Sequence, residues 1–395
     1  MQGKISTILQ LFQETILRQF HLLFVPLGME NKRLESLDAF RGFDMMWIMG
    51  LSSIVVAICA LTPFGEDCFL ARQMSHVAWN GLSFMDLVFP TFLFISGISF
   101  PYSLSKQRSC GHSSTQIHLK ILKRALILVA FGVIYNGFLT SLNFSTARYC
   151  SVLGRIGLAW MFAALIYVHC SRKSRIVISS VLLVGYYLLM RFVTAPGAPA
   201  GADPFSFEWN IAGYIDRCIT PGSLYRGTFD PEGLLGLIPA TVTAMLGMFT
   251  GEFVKDSKVS GSRKALYMFL TSIAFLVLGL LWNIIFPINK NLWTSSFVCI
   301  VGAYSLCMFA LFYYIIDVKG HRKWALPFKV VGMNSITIYM AMQFIDFSFT
   351  ARQILHGAIT LMPENTGRLV LYAGMFLLRW GFVYFLYKQK IFLKV

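Results

Sequence analysis

The residues of this chain that could do chemistry are few, and the most suggestive are His76, Asn80 and Asp86, which lie close together in the sequence. A neutral imidazole can act as a general base or as a nucleophile. We expect Asn80 to cap a helix that begins at Leu82, which leaves His76 just before the helix N-terminus. The partial positive charge of that terminus favours the neutral imidazole, although a lone histidine in a loop is more often passive.

Other candidate residues are weaker when each is taken alone. In the segment Asp230-Pro231-Glu232, the aspartate and the proline suit a plain helix start. Alternatively, the two carboxylates orient a protonated base or hold the amino and hydroxyl groups of a sugar. Asp44 lies in a predicted membrane span, where a charge costs about 2.5–3.5 kcal/mol on insertion scales, so it is a functional candidate. Asn334 lies early in another span, where helix packing is the ordinary explanation.

The elements that must position these residues are membrane helices. The chain has 395 residues, of which 56% are hydrophobic and only 13% are charged, and its mean hydropathy is +0.64. These values exclude an ordinary soluble domain, and the continuous apolar runs exclude the alternating pattern of an outer-membrane barrel. We predict an all-α polytopic helical membrane protein with about ten transmembrane helices, at 41–62, 82–104, 121–142, 152–170, 174–194, 232–253, 265–287, 292–317, 327–350 and 369–387.

The charged residues predict how these helices are oriented. The chain carries 34 lysines and arginines against 18 aspartates and glutamates. In a soluble protein that surplus would suggest nucleic acid, but here most of the basic residues fall in connections on one side of the predicted spans. We therefore expect membrane lipid and no nucleic acid as partners. Both termini are expected in the cytoplasm, with His76 on the opposite, outer side.

Two segments outside the spans stand apart. Residues 1–32 are apolar but too polar to span, so we interpret them as an interfacial helix or as an extension of the gene model. The predicted external loop 195–231 is rich in proline and glycine and is long enough to cover a site. The eight cysteines show no zinc spacing, so we expect no metal, and a disulfide between two of Cys68, Cys150 and Cys218 stays open.

Taken in order, these residues resemble the heparan-α-glucosaminide N-acetyltransferase family of transmembrane acetyltransferases, and in particular its bacterial branch. Seven ordered blocks carry the resemblance over roughly residues 33–350, which makes chance similarity implausible. The blocks are RLESLDAFRG at 33–42, His76 through WNG at 79–81 to DLVFP at 86–90, VLGRIG at 152–157, DPEGLLG at 230–236, NKNLW at 289–293, DVKG at 317–320 and GMNSI at 332–336.

The resemblance implies that residues 33–395 form an acetyltransferase domain. Such a domain would move an acetyl group from cytoplasmic acetyl-CoA to the amino group of a glucosamine-type sugar, as in a heparan sulfate fragment, on the outer side. His76 matches the family's catalytic histidine, and Asn80 and Asp86 belong to the same motif. The residues expected at the substrate are Arg155, Asp230, Glu232 and Asn334. A homodimer and a bacterial inner-membrane location also follow from the resemblance alone.

The sequence departs from the family at one catalytic position. Animal members carry an asparagine late in the first span that joins the catalytic histidine, whereas the counterpart in this chain is Ser52. Asp44 and Asn80 are the candidates that take over this polar role. The segment between Ser52 and His76 is also longer than in those members.

Several alternatives remain open at this point. His76 acts either as a general base in a ternary complex or as a nucleophile that carries the acetyl group. Lys106, Lys123 and Arg124 are expected to bind the CoA phosphates, although the positive-inside rule and anionic lipid also explain these charges. An O-acetyltransferase of a cell-envelope polysaccharide is the nearer functional alternative. A proton-coupled transporter that uses intramembrane aspartates is the more distant one.

Overall fold

The computed structural model describes residues 34–393, so the expected interfacial segment 1–32 lies outside the described residues. Within the described range the chain forms helices and two isolated β-bridges but no strand. Eight of its helices are long and apolar enough to cross a membrane. The predicted class, an all-α polytopic helical membrane protein, is confirmed.

The described residues fall into two compact units. The helices, in chain order, are α1 (Glu35–Met46), α2 (Ser52–Ala60), α3 (Phe69–Gln73), α4 (Phe84–Ser109), α5 (Ser114–Tyr135), α6 (Phe138–Ser141), α7 (Val152–His169), α8 (Arg172–Phe192), α9 (Ile211–Ile219), α10 (Leu237–Lys255), α11 (Gly261–Asn283), α12 (Ser295–Phe312), α13 (Leu326–Met333), α14 (Ser335–Phe344), α15 (Phe347–Ile359) and α16 (Glu364–Lys388). Residues 52–322 form the larger unit, which holds α2 to α12. The smaller unit combines α1 with α13 to α16.

The eight candidate spans coincide with eight of the ten predicted spans, and the other two predicted spans differ in form. Glu35–Ala60 counts as one span that runs through α1 and α2, and Ser295–Val318 is α12 with the turn that follows it. In place of 121–142, α5 starts earlier, because Ser113 and Gln116 form a capping box in which Ser113 N donates to Gln116 Oε1 at 2.9 Å. The predicted span 327–350 is interrupted at Asn334, which separates α13 from α14. Hydropathy alone could not place either feature, because both depend on side-chain bonds to the backbone or on local backbone angles.

Helix α4 lies at the centre of the larger unit. Of its apolar window, 78% is buried, the largest share among the eight spans. Two glycines let α4 and α10 approach closely, as small residues do between membrane helices. A Cβ at Gly97 would lie 2.2 Å from the Ala244 carbonyl oxygen, and one at Gly247 would lie 2.0 Å from that of Phe94. Because Asp86 lies in the first turn of α4, this contact positions a candidate catalytic residue.

We expect Gly97→Ala to destabilise the protein by about 1–3 kcal/mol, the usual cost of overpacking. The added methyl group would meet a backbone oxygen of α10, which moves only if the helix moves. Gly185→Ala in α8 is the matched control, because a Cβ there has no neighbour within 4 Å. Thermal unfolding in detergent should give a lower Tm for Gly97→Ala alone. Equal Tm values for the two variants would contradict the assigned packing.

In the smaller unit, a partly buried arginine donates a hydrogen bond to the backbone where α1 ends. The π-helical turn Trp47–Leu51 follows α1, and Gly50 within it has φ 121°, a conformation that favours glycine. Arg379 of α16 donates from Nη1 to the Met49 carbonyl oxygen at 2.6 Å. An irregular turn at membrane depth needs a donor of this kind within the protein. Arg379, a charged residue inside a predicted span, thus has a structural role.

Candidate active site

The loop that carries His76 leads into α4, and Ser83 caps that helix in place of the predicted Asn80. Ser83 N and Oγ both donate to Asp86 Oδ2, at 3.1 and 2.9 Å. An acidic residue three positions after a serine cap satisfies a backbone N–H of the helix terminus in this way. Helix α4 therefore begins at Phe84, and the prediction of a cap at Asn80 is wrong.

The capping aspartate also binds the candidate catalytic histidine. His76 Nδ1 lies 2.8 Å from Asp86 Oδ1. The Asp86 side chain is 1% exposed, whereas that of His76 is 57% exposed. A buried carboxylate in this position accepts a hydrogen bond from Nδ1–H and so fixes the tautomer of the imidazole. Nε2 of the exposed ring is then the atom that can take a proton or attack an electrophile.

Lys290, whose role the sequence alone does not predict, completes this cluster. Its Nζ lies 3.3 Å from Asp86 Oδ1 and 3.1 Å from His76 Nδ1. Because an ionised carboxylate can only accept hydrogen bonds, we assign the Nδ1 proton to the bond with Oδ1, which then accepts from both the imidazole and the ammonium group. Burial lowers the pKa of Lys290, while the charges of Asp86 and Glu232 act to raise it. The only sequence signal for Lys290 is its place in the NKNLW block.

The loop that carries Lys290 is bound directly to the histidine loop. Asn289 Nδ2 donates to Asn80 Oδ1 at 3.0 Å, and Gly81 N donates to the Ile288 carbonyl oxygen at 2.9 Å. Asn80 therefore joins two loops and caps no helix. These two bonds explain why a lysine so distant in sequence lies beside His76.

A second charged cluster is built around Arg148, which the sequence analysis did not select. Its Nε and Nη2 donate to the two oxygens of Asp230 at 2.8 and 2.7 Å, and Nη2 also pairs with Glu232. Asp230 accepts two further bonds, from Tyr225 N at 3.0 Å and from Glu232 N at 2.9 Å, and its side chain is fully buried. Asp230 thus holds this loop together, whereas Glu232 shares only one of its oxygens with Arg148.

Arg155 lies between the two clusters and is 3% exposed. Its Nη2 donates to the Gly233 carbonyl oxygen at 2.8 Å, and its guanidinium lies 5.0 Å from the Trp293 ring centroid. Electrostatic interactions link Arg155 to both Glu232 and Lys290. Among the described residues, its Nε and Nη1 have no hydrogen-bond acceptor. Buried donors are costly to leave without an acceptor, so these two nitrogens are suited to an oxygen atom of a ligand.

Burial also alters the protonation of Glu232 and of the nearby Asp216, whose Oδ1 accepts a hydrogen bond from Leu234 N at 2.8 Å. It raises the pKa of Asp216 to about 6. It raises the pKa of Glu232 as well, although the charges of Arg155 and Arg148 oppose the shift. For Arg148, burial acts to lower the pKa, but the bonds and charge of Asp230 outweigh it and the net shift is upward. Arg148 therefore stays charged, while Asp216 and Glu232 protonate more readily than in water.

Asp44 and Asn334 lie in the smaller unit. Asp44 is fully buried in α1, and its two oxygens have no hydrogen-bond donor among the described residues. Asn334 is also buried, and its Oδ1 accepts from Thr337 Oγ1 at 3.4 Å where α13 gives way to α14. The catalytic role expected of Asp44 and the substrate contact expected of Asn334 stay predictions.

The basic residues expected at CoA lie far from the histidine loop along the helices. Lys106 is near the C-terminal end of α4, about 30 Å from Asp86 at 1.5 Å per residue. Lys123 in α5 is exposed, as is Lys106. Arg124 is partly buried, with its guanidinium 4.2 Å from the Trp160 ring centroid. This placement agrees with a site on the opposite side of the membrane from His76, and the CoA contacts themselves stay predictions.

All eight cysteines are free thiols, so the structure forms no disulfide among Cys68, Cys150 and Cys218. Cys68 Sγ instead accepts a hydrogen bond from Ala71 N at 3.4 Å and caps α3. Across residues 34–393, no three His, Cys, Asp or Glu side chains are grouped so that they could hold a metal ion.

Comparison with known proteins agrees with the resemblance seen in the motifs. A family model described as a domain of unknown function (DUF5009) matches residues 33–203. Human heparan-alpha-glucosaminide N-acetyltransferase is 29% identical to this chain over 417 aligned positions, and the mouse protein of the same name is 28% identical over 416. Each alignment covers 92% of this chain, which spans 60% of the length of each relative. The resemblance to these acetyltransferases is confirmed.

Proposed function

We propose that this relative of the heparan-α-glucosaminide N-acetyltransferases is itself a transmembrane acetyltransferase. It moves the acetyl group of cytoplasmic acetyl-CoA to the amino group of a glucosamine-type sugar on the outer side of the membrane. The observation that carries the proposal is the exposed imidazole of His76 with its Nδ1 bound to the buried Asp86, because this arrangement leaves Nε2 available for chemistry. The choice of an acetyl group and of an amino sugar as its acceptor is based on the names of the two relatives.

In a ternary complex, His76 serves as the general base. The amine nitrogen attacks the thioester carbonyl carbon, a C–N bond forms, and His76 Nε2 takes the proton that the amine loses. The C–S bond then breaks, and the same proton passes to the CoA sulfur. The negative charge on the carbonyl oxygen needs a donor, and the two nitrogens of Arg155 without acceptors are suited to that task. A single donor of this kind typically contributes about 10²–10³-fold in rate.

The same atoms also permit a covalent route. His76 Nε2 would attack the thioester carbonyl carbon, the C–S bond would break, and CoA would leave as the thiolate. The sugar amine would then attack the acetyl carbon, and the bond between that carbon and Nε2 would break. The freed Nε2 would take the proton that the amine loses and pass it to the CoA thiolate. Asp86 would accept from Nδ1–H while the ring carries the acetyl group. The two routes differ in one observable respect, since only the covalent route leaves acetyl label on the protein when no sugar is present.

Glu232 is the residue best placed to bind the acceptor. Its partner Asp230 is fully occupied by Arg148 and by backbone N–H groups, whereas Glu232 has one oxygen outside that arrangement. Glu232 also interacts electrostatically with Lys290 and Arg155, so it lies near the histidine cluster. A carboxylate there would attract the ammonium form of an amino sugar and bind its hydroxyl groups.

Substituting the lysines expected at the CoA phosphates should weaken the binding of acetyl-CoA but not the binding of the sugar. We expect Lys106→Gln and Lys123→Gln each to raise KM for acetyl-CoA about fivefold, equivalent to about 1 kcal/mol, with KM for the sugar unchanged. Lys258→Gln is the control, because Lys258 is also exposed and lies in a connection expected on the same side. Initial rates at varied acetyl-CoA concentration make the comparison. A rise in KM for the sugar, or no change for either lysine, would contradict the assignment.

The proposed function is tested with wild-type protein in membrane vesicles of known orientation. Labelled acetyl-CoA is supplied on the cytoplasmic face and glucosamine on the other, and the sugar product is isolated. An amide product resists mild alkali, whereas an O-acetyl ester is cleaved by it. An alkali-stable product supports the proposal, an alkali-labile product replaces it with an O-acetyltransferase, and no acetylated sugar at all refutes it.

A further inference from the structure

Lys290 occupies an unusual position for a residue beside an Asp–His pair. In a simple pair, the buried carboxylate stabilises the protonated imidazolium, which can act neither as a base nor as a nucleophile. In this protein an ammonium group lies 3.3 Å from the same carboxylate oxygen and 3.1 Å from the imidazole nitrogen that binds it. A positive charge at that distance opposes a second positive charge on the ring.

The charges that face Lys290 come from four separate elements. Asp86 lies in α4, His76 in the loop before it, Glu232 in the turn before α10, and Arg155 in α7. The negative charges of Asp86 and Glu232 balance the positive charges of Lys290 and Arg155 only while the imidazole is neutral. An imidazolium would place a further positive charge 3.1 Å from the Lys290 ammonium with no further carboxylate to balance it, which is unfavourable.

Lys290 is held in this position by more than its own charge. Its neighbour Asn289 donates to Asn80, and the carbonyl oxygen of Ile288 accepts from Gly81 N, so two hydrogen bonds join the two loops beside the ion pair. Burial lowers the pKa of Lys290, and the charges of Asp86 and Glu232 limit that shift without reversing it. The side chain is 14% exposed, so bulk water screens these interactions only in part.

We propose that Lys290 is a positioning residue that keeps the imidazole of His76 neutral while Asp86 orients it, which extends the active range of the enzyme to lower pH. The inference rests on the proposed function for its catalytic meaning. The arrangement would let Asp86 fix the tautomer without also favouring the protonated ring. Keeping the imidazole neutral would matter most if the outer side of the membrane, where the sugar binds, is acidic.

The test measures the neutral fraction of His76 directly. Diethyl pyrocarbonate modifies neutral imidazole, so its rate of reaction with His76 is followed against pH by peptide mass spectrometry on the full-length protein in membranes. We expect the pH midpoint of modification to rise by about one unit in Lys290→Met, in which the charge is lost. Lys290→Arg keeps the charge and should match wild type. His356, modified in the same samples, should not change.

Lys290→Gln provides a second neutral variant that still donates to Asp86, in case Lys290→Met folds poorly. If both neutral variants show the wild-type midpoint, the inference is wrong. Because this measurement uses neither acetyl-CoA nor sugar, that result would leave the proposed function intact. Conversely, an absence of acetyl transfer by wild type would refute the function without altering the midpoints. Where transfer occurs, the acid limb of kcat/KM should move with the modification midpoint.

Discussion

Replacing His76 with alanine should lower kcat/KM for acetyl transfer by at least about 10³-fold. The reason is that the imidazole is the exposed member of the Asp86–His76 pair, and Nε2 either removes the amine proton or carries the acetyl group. The substitution should leave Tm nearly unchanged, since more than half of the side chain is exposed and Asp86 keeps its bonds to Ser83. Transfer from labelled acetyl-CoA in oriented vesicles, together with thermal unfolding, measures both quantities.

His356→Ala is the matched control for this experiment. His356 is also exposed and has no part in the proposed mechanism, so its loss should not change the rate. Acetyl label that remains on wild-type protein without sugar, and is absent from His76→Ala, would select the covalent route. Transfer by His76→Ala at the wild-type rate would show that the catalytic assignment is mistaken.

The helical class was predictable because apolar runs long enough to cross a membrane leave few alternatives. The proximity of His76 and Asp86 was predictable only in part. The sequence places both in one motif, but the bond between them depends on Ser83, which starts the helix at Phe84 and turns Asp86 toward the loop. A cap at Asn80 was equally reasonable from the sequence, since asparagine and serine cap helices about equally well.

Lys290 could not be predicted because its position depends on tertiary structure alone. It lies 214 residues from His76 in the sequence, and its place depends on loop contacts that leave no periodic signal. The same holds for Arg148, whose bond to Asp230 joins residues 82 positions apart. The sequence does not distinguish Asp230 from Glu232 as candidate ligands of the substrate. In the structure, Asp230 accepts hydrogen bonds from four donor atoms, whereas Glu232 has fewer donors and one oxygen outside the pair with Arg148.

Asp86→Asn should lower kcat by about 10²–10⁴-fold while KM for acetyl-CoA changes little. An amide can still accept from Ser83, so α4 should keep its cap. Toward His76, however, the amide cannot provide the negative charge that Nδ1–H and the Lys290 ammonium share. The ring then loses its fixed tautomer, and the positive charge of Lys290 is left without its carboxylate. Steady-state kinetics over a pH range measures the loss.

Ser83→Ala separates the two tasks of Asp86. It removes the Ser83 hydroxyl that donates to Oδ2 but leaves the Oδ1 contacts to His76 and Lys290 in place. We expect this variant to lose about 1 kcal/mol of stability and to keep kcat within a few-fold of wild type. If Ser83→Ala lowered kcat as much as Asp86→Asn does, the effect of Asp86 on catalysis would come from its role at the helix end alone. A large loss confined to Asp86→Asn would instead place its effect at the imidazole, where the charge of the carboxylate is needed.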